Sequence, residues 1–147
     1  MIYIGIDPGL KGGIALIRDE SATAVPFTKD LLKEVCRSLK EPAVCFLEKV
    51  GAMPGQGVTS MFNFGTTYGY IMGVLEAFDI PYQLISPQKW KKHFSLDKDK
   101  TKSIETAKRL FPTVSLLPTE RCHKDNDGMA EALLIALYGK RTDGGAK

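Results

Sequence analysis

The segment Met1–Gly13 (Met-Ile-Tyr-Ile-Gly-Ile-Asp-Pro-Gly-Leu-Lys-Gly-Gly) constrains the fold more than any other part of the chain. Its apolar run, Met1 to Ile6, is too short for a helix and rich in β-formers, so it reads as a buried strand. Pro8 ends any hydrogen-bond ladder, and Gly9, Gly12 and Gly13 allow backbone that a Cβ would forbid. The strand therefore delivers one acid, Asp7, into a turn without bulk, a natural place for a divalent metal and a phosphate. The plainer alternative is an Asp that simply opens a turn, as Asp before Pro or Gly often does. The choice depends on whether the rest of the chain supplies partner ligands.

A chain of 147 residues is long enough to bury a substantial core and is expected to form one domain, residues 1–141, with a flexible tail at 142–147. Its hydrophobic share of 44% and charged share of 25% are those of a globular protein. No window approaches the roughly 20 apolar residues of a membrane span. The N-terminus enters a strand directly, without the basic region of a secretory signal, which favours a cytoplasmic location. Cys36, Cys45 and Cys122 are scattered and lack CxxC spacing, so reduced thiols are expected and a zinc site is not.

Gly13–Asp19 and Ala22–Phe27 continue as strands, and their short connections favour an antiparallel meander with the first. Thr28 is placed to cap a helix over Lys29–Lys40, with Leu31, Leu32, Val35 and Leu39 on one face. Ala43–Glu48 is a second buried strand ending in an acid. Val58–Phe78 reads as a long helix in which Gly65, Gly69 and Gly73 share a face. Each helical glycine costs roughly 1 kcal/mol relative to alanine. The stripe therefore implies close approach of another backbone, either the sheet beneath or a symmetry-related helix in a dimer, the sheet being favoured. Ile80–Ile85 is a further strand, Pro87–Trp90 opens a short helix, and Lys98–Leu110 is helical. Thr113–Lys124 is loop and Asn126–Lys140 a helix, with Ala130, Leu133, Leu134 and Leu137 facing the core. Helical crossovers imply parallel pairing of the strands at Met1, Ala43 and Ile80, giving an α/β fold around a five-stranded mixed sheet.

That topology sets Asp7 and Glu48 at matching ends of adjacent strands, about 4.8 Å apart. Asp127 and Glu131 lie four residues apart on one face of the last helix. Hard oxygen donors favour Mg²⁺, with Mn²⁺ as a substitute, and two such ions suit phosphodiester hydrolysis. Each acid also has an ordinary reading. Glu48 ends a strand, Asp125, Asn126 or Asp127 caps the last helix, and Glu131 is an exposed helical acid.

Three stretches carry a family likeness. Gly5-Ile6-Asp7-Pro8-Gly9, Phe46-Leu47-Glu48-Lys49-Val50 and Asp127-Gly128-Met129-Ala130-Glu131-Ala132-Leu133 resemble the acidic motifs of RuvC-type Holliday-junction resolvases, within the RNase H-like superfamily. The match is best with the short bacteriophage members. Ser86-Pro87-Gln88-Lys89-Trp90 and Lys100-Thr101-Lys102-Ser103 are weaker echoes. The resemblance runs in order from Met1 to about Tyr138. It implies a homodimeric, Mg²⁺-dependent endonuclease that nicks paired strands of a four-way junction. It also implies Asp7, Glu48, Asp127 and Glu131 as metal-binding carboxylates and Lys102 near the scissile phosphate. Two departures stand out. Bacterial members commonly carry two aspartates three residues apart in the last motif, where this chain has Gly128 and Glu131, with the acid moved to Asp127 and Asp125 in reserve. The aromatic that many members place after the second motif is replaced by Gly51-Ala52-Met53.

Lys89, Lys91, Lys92, Lys98, Lys100, Lys102, Lys108 and Arg109 are interleaved with Trp90, His93 and Phe94, a pattern that suits phosphate contacts. The ordinary reading is a solvated helix face with Asp97, Asp99 and Glu105 as partners. Trp90 reads as a packing anchor rather than a base-stacking platform. Lys11, and Gln56 in the glycine-bearing loop Gly51–Thr59, are further candidate DNA contacts. Three rivals remain: an actin-like ATPase, which would need a second such subdomain, a nuclease for flap or hybrid substrates, and a non-catalytic junction-binding module.

Overall fold

The computed structural model describes residues 1–145. Five strands form one sheet in the order β3-β2-β1-β4-β5: β1 Ile2–Asp7, β2 Gly13–Arg18, β3 Ser21–Pro26, β4 Ala43–Glu48 and β5 Tyr82–Ile85. The meander β1–β2–β3 is antiparallel, while β4 and β5 add in parallel beside β1, as the crossover helices require. Five helices flank the sheet among the described residues: α1 Lys29–Ser38, α2 Val58–Ala77, α3 Pro87–His93, α4 Lys100–Leu110 and α5 Asp127–Gly145. Thr28 caps α1 as its sequence position implies, accepting from the Leu31 N–H at 3.0 Å.

The two faces of the sheet bury separate cores. Ile2, Ile4, Ile6, Cys45 and Leu47 meet Leu32 of α1 and Ile71 and Leu75 of α2. Tyr3, Val44 and Phe46 meet Trp90 of α3, Ala107 of α4 and the helix α5. Residues 128–136 of α5 are buried without interruption, so this helix has no solvent face over that stretch. It crosses β1 and β2 at backbone distance, and glycine makes that possible. A Cβ on Gly5 would lie 2.5 Å from the Ala136 nitrogen and nearer still to the Ala132 carbonyl oxygen. A Cβ on Gly128 would collide with the Lys11 carbonyl.

One expectation is corrected. The stripe Gly65, Gly69, Gly73 does not face the sheet: all three are exposed, and a Cβ on any of them meets nothing within 4 Å. The reason is angular. Ile71 and Leu75 turn the opposite side of α2 inward, about half a turn away from the glycines. Close approach occurs at Gly5, Gly13 and Gly128 instead. The tail expected at 142–147 lies partly outside the described residues. Helix α5 runs on through Gly145, with the Thr142 hydroxyl donating to the Tyr138 carbonyl at 2.9 Å and the Arg141 guanidinium over the Phe94 ring at 5.5 Å. Residues 146–147 lie outside the described part.

Candidate functional site

Side-chain alternation decides which strand residues reach the end of α5. Ile2, Ile4 and Ile6 enter the α1–α2 core, so Tyr3, Gly5 and Asp7 point to the α5 face. In β4, Cys45 and Leu47 join the first core and Val44 and Phe46 the second, which sends Glu48 to the α5 face as well. The register Gly5↔Phe46, Ile6↔Leu47 then sets Asp7 and Glu48 beside one another one step further along. Helix α5 starts over the same edge of the sheet. Asn126 caps it, accepting from the Met129 N–H at 2.9 Å, which frees Asp127 from capping and places Glu131 one turn later.

Asp7 and Glu131 are the innermost acids, 8% and 4% exposed. One Asp7 oxygen accepts from the Gly9 N–H at 3.0 Å, so Asp7 does open the turn while also reaching the site. Its carboxyl group lies within hydrogen-bonding reach of Glu131. Burial raises both, and the Glu131 pKa is pushed up to about 8 by burial and by the neighbouring Asp7 charge. Burial also raises Glu48, with the Asp7 charge adding to it and the Trp90 N–H opposing. Lys100 supplies the positive charge: its Nζ lies 2.8 Å from Asp127 Oδ2 and 4.0 Å from Glu131 Oε1. The hydrogen bond to Asp127 raises the Lys100 pKa despite partial burial.

The four carboxylates thus converge without closing. Among the described residues, no three acidic, histidine or cysteine side chains stand at metal-ligating spacing. Glu48 is held by Trp90 and Asp127 by Lys100. The oxygen-only donors and the surplus of buried negative charge suit a hard divalent cation where the Lys100 ammonium now stands.

The remaining candidates divide. Lys102, expected near the scissile phosphate, pairs with Asp97 and is half exposed, while Lys100, two residues earlier at the start of α4, stands among the acids. Two residues is about 200° around a helix, so both cannot face α5. Asp125, the reserve ligand, pairs with Lys108 at 2.7 Å. On α3, Lys89 and Lys92 are exposed and Lys91 is half-buried, and these three carry no ion pair among the described residues. Lys11 is exposed beside the α5 N-terminus, its carbonyl against Gly128. Gln56 turns inward on its own loop, accepting from the Met53 N–H at 3.3 Å.

The glycine turn after Asp7 also differs from expectation. A Cβ on Gly12 would strike the Asp7 carbonyl oxygen, and one on Gly13 would lie 2.5 Å from the Gly128 carbonyl oxygen. Their missing side chains are filled by this chain's own backbone rather than reserved for a metal or DNA. Sequence reasoning missed two contacts, Lys100 with Asp127 and Trp90 with Glu48, because both join residues tens of positions apart.

The Glu131 proton has a consequence for stability. Below about pH 4.5, Glu131 is protonated folded or unfolded; between there and about pH 8 only the folded chain keeps the proton. The unfolded state binds fewer protons in that window, so stability falls as pH rises through it and levels off above. Asp7 and Glu48 act in the same direction. In chelator, melting temperature is expected to drop from pH 5 to pH 8 in the native chain and to drop less in Glu131→Gln. Equal slopes would show that no proton is held there.

A helix laid across a five-stranded mixed sheet, with acids at matching strand ends, defines an RNase H-like α/β fold. Within that class the chain has the fold of RuvC. It matches T. thermophilus RuvC in complex with Holliday junction substrate at a TM-score of 0.65 and 15% identity, over 100% of this chain and 97% of that one. A second structure, Thermus thermophilus RuvC, matches at 0.61 and 14% identity over 97% of each chain. No protein-family model matches, and no curated protein sequence does. Among the described residues, no helix is long and apolar enough to cross a membrane.

Proposed function

We propose that this chain is a divalent-metal-dependent endodeoxyribonuclease that resolves four-way DNA junctions by paired nicks, a short RuvC-like enzyme of the bacteriophage type working in the cytoplasm. The observation that carries this reading is the buried Asp7–Glu131 pair, flanked by Glu48 and Asp127, at the strand ends of a RuvC-like fold. These four carboxylates would hold Mg²⁺, two ions per site, with Mn²⁺ able to substitute. Bound there, the metal supplies Lewis acidity for attack of water on the scissile phosphorus, leaving 5′-phosphate and 3′-hydroxyl ends.

The chain's own groups orient that chemistry. The Gly9 N–H fixes one Asp7 oxygen on the rigid end of β1. Lys100 stands among these acids, beside Asp127 and Glu131, whereas Lys102 pairs with Asp97, so Lys100 would be better placed than Lys102 to contact a phosphate oxygen. Lys89, Lys91 and Lys92 of α3, with Lys11 at the turn, would track the DNA backbone, each phosphate contact steepening the salt dependence by roughly 0.9. Gln56 accepts from the Met53 N–H through Oε1, which leaves its side-chain NH₂ to donate to the DNA backbone.

Symmetric nicking calls for a second copy. The exposed glycine stripe of α2, with Phe62 74% exposed near its start, supports that helix as the contact. Sedimentation is expected to show a dimer at micromolar concentration; a monomer would remove the symmetric-nicking part of the reading.

The deciding assay is purified protein with a synthetic four-way junction and Mg²⁺, beside flap, duplex and RNA–DNA hybrid substrates. Paired nicks in the junction are expected. Preferential cutting of flaps or hybrids would replace the substrate assignment, and binding without cleavage in Mg²⁺ or Mn²⁺ would leave a non-catalytic junction-binding module.

A further inference from the structure

Trp90 is the chain's one tryptophan and is 0% exposed, in the core formed by Phe46, Ile85 and Met129. A ring so placed ordinarily serves packing alone. Its indole N–H, however, donates to Glu48 Oε2 at 2.8 Å, linking two positions 42 residues apart. Pro87 at the first position of α3 stops β5 and swings the helix over the end of β4, which brings the fourth helical residue against the last strand residue.

The bond gives Glu48 something that Asp7 obtains from its own turn. Asp7 is short and is fixed locally by Gly9, whereas Glu48 has one more methylene and a partly buried carboxylate at a strand end. Free glutamate side chains sample many rotamers, and ordering them opposes ligand binding. A donor anchored in the core removes that freedom, fixes the carboxylate plane and leaves Oε1 available. The same helix carries the basic side chains, and Lys91 Nζ lies 5.4 Å from the Trp90 ring centroid.

Resting on the metal-nuclease reading above, we propose that Trp90 is a positioning residue, its indole N–H orienting the Glu48 carboxylate to receive a divalent cation. Partners of this kind typically change metal affinity by about 10- to 100-fold.

Because there is one tryptophan, a ¹⁵N-labelled sample gives one indole N–H resonance. In the full-length chain that resonance is expected to move on Mg²⁺ addition, to shift toward the unbonded position in Glu48→Ala, and to lose its Mg²⁺ response there. Replacing Trp90 by β-(3-benzothienyl)alanine keeps the ring shape and substitutes sulfur for the N–H. Mn²⁺ binding, followed by electron paramagnetic resonance, is expected to weaken about 10-fold or more in that variant. Trp90→Phe is a second test of the lost donor. An indole resonance indifferent to both Glu48→Ala and Mg²⁺, or unchanged Mn²⁺ affinity in the sulfur variant, would overturn the inference. If both replacements fail to fold, the native-chain resonance decides. A native chain that binds Mn²⁺ and cuts junctions while the sulfur variant binds equally well refutes Trp90's role alone. One that neither binds Mn²⁺ nor cuts refutes the metal-nuclease reading, and the inference with it.

Discussion

Asp7→Asn is expected to leave junction binding within a few-fold of the native chain while reducing cleavage by at least roughly 10³-fold. A metal contributes several kcal/mol of transition-state charge stabilisation, and each 1.36 kcal/mol is a factor of ten in rate. Asn is nearly isosteric, and its amide oxygen can still accept the Gly9 N–H, so the turn and the DNA-facing surface persist. The substitution also removes one of two buried acids that repel each other, so thermal stability in chelator should rise near pH 8, where both otherwise ionise. Gel-shift and single-turnover cleavage assays on one junction separate the effects. Normal cleavage by Asp7→Asn would show that the ligand set is wrong; joint loss of binding and cleavage would show that the acid serves DNA affinity or folding instead.

Gly5→Ala is expected to destabilise the fold by about 3 kcal/mol or more, among the larger costs of overpacking. The added methyl has no side chain to push aside. Its neighbours are the Ala132 carbonyl and the Ala136 nitrogen of α5, both backbone, so the helix must lift from β1. Lifting α5 also carries Asp127 and Glu131 away from Asp7, so cation affinity should fall with stability. Gly51→Ala is the control, because its Cβ meets open space and its backbone is not left-handed. Urea unfolding of the two variants gives the comparison. A Gly5→Ala midpoint equal to that of the native chain would mean that α5 does not sit where the structure has it.

Most of the architecture was legible in the sequence. Alternating apolar runs, Pro and Gly punctuation and the Thr28 cap mark local events, and the sheet order follows from short hairpins and helical crossovers. The acids Asp7 and Glu48 were legible for the same reason, since strand ends and parallel pairing dictate their proximity. The α2 glycines were misread because periodicity reveals that residues share a face, not which way the face turns. Its direction is set by the larger stripe of Ile71 and Leu75. Which of Lys100 and Lys102 meets α5 was illegible for a similar reason: two residues of one type on one helix differ only in the direction they face.

Opening strand, turn and acid at Asp7 are thus properties of the first nine residues alone, decided by β propensity, the Pro8 stop and an Asx-type hydrogen bond to Gly9. The environment of that acid belongs to the tertiary structure. Glu131 beside it, the Lys100 ammonium between Asp127 and Glu131 and the Trp90 N–H on Glu48 come from α5, α4 and α3. Desolvation and Coulomb forces act through space, so the charge state of Asp7's neighbours depends on how closely separate helices pack, which no local pattern encodes.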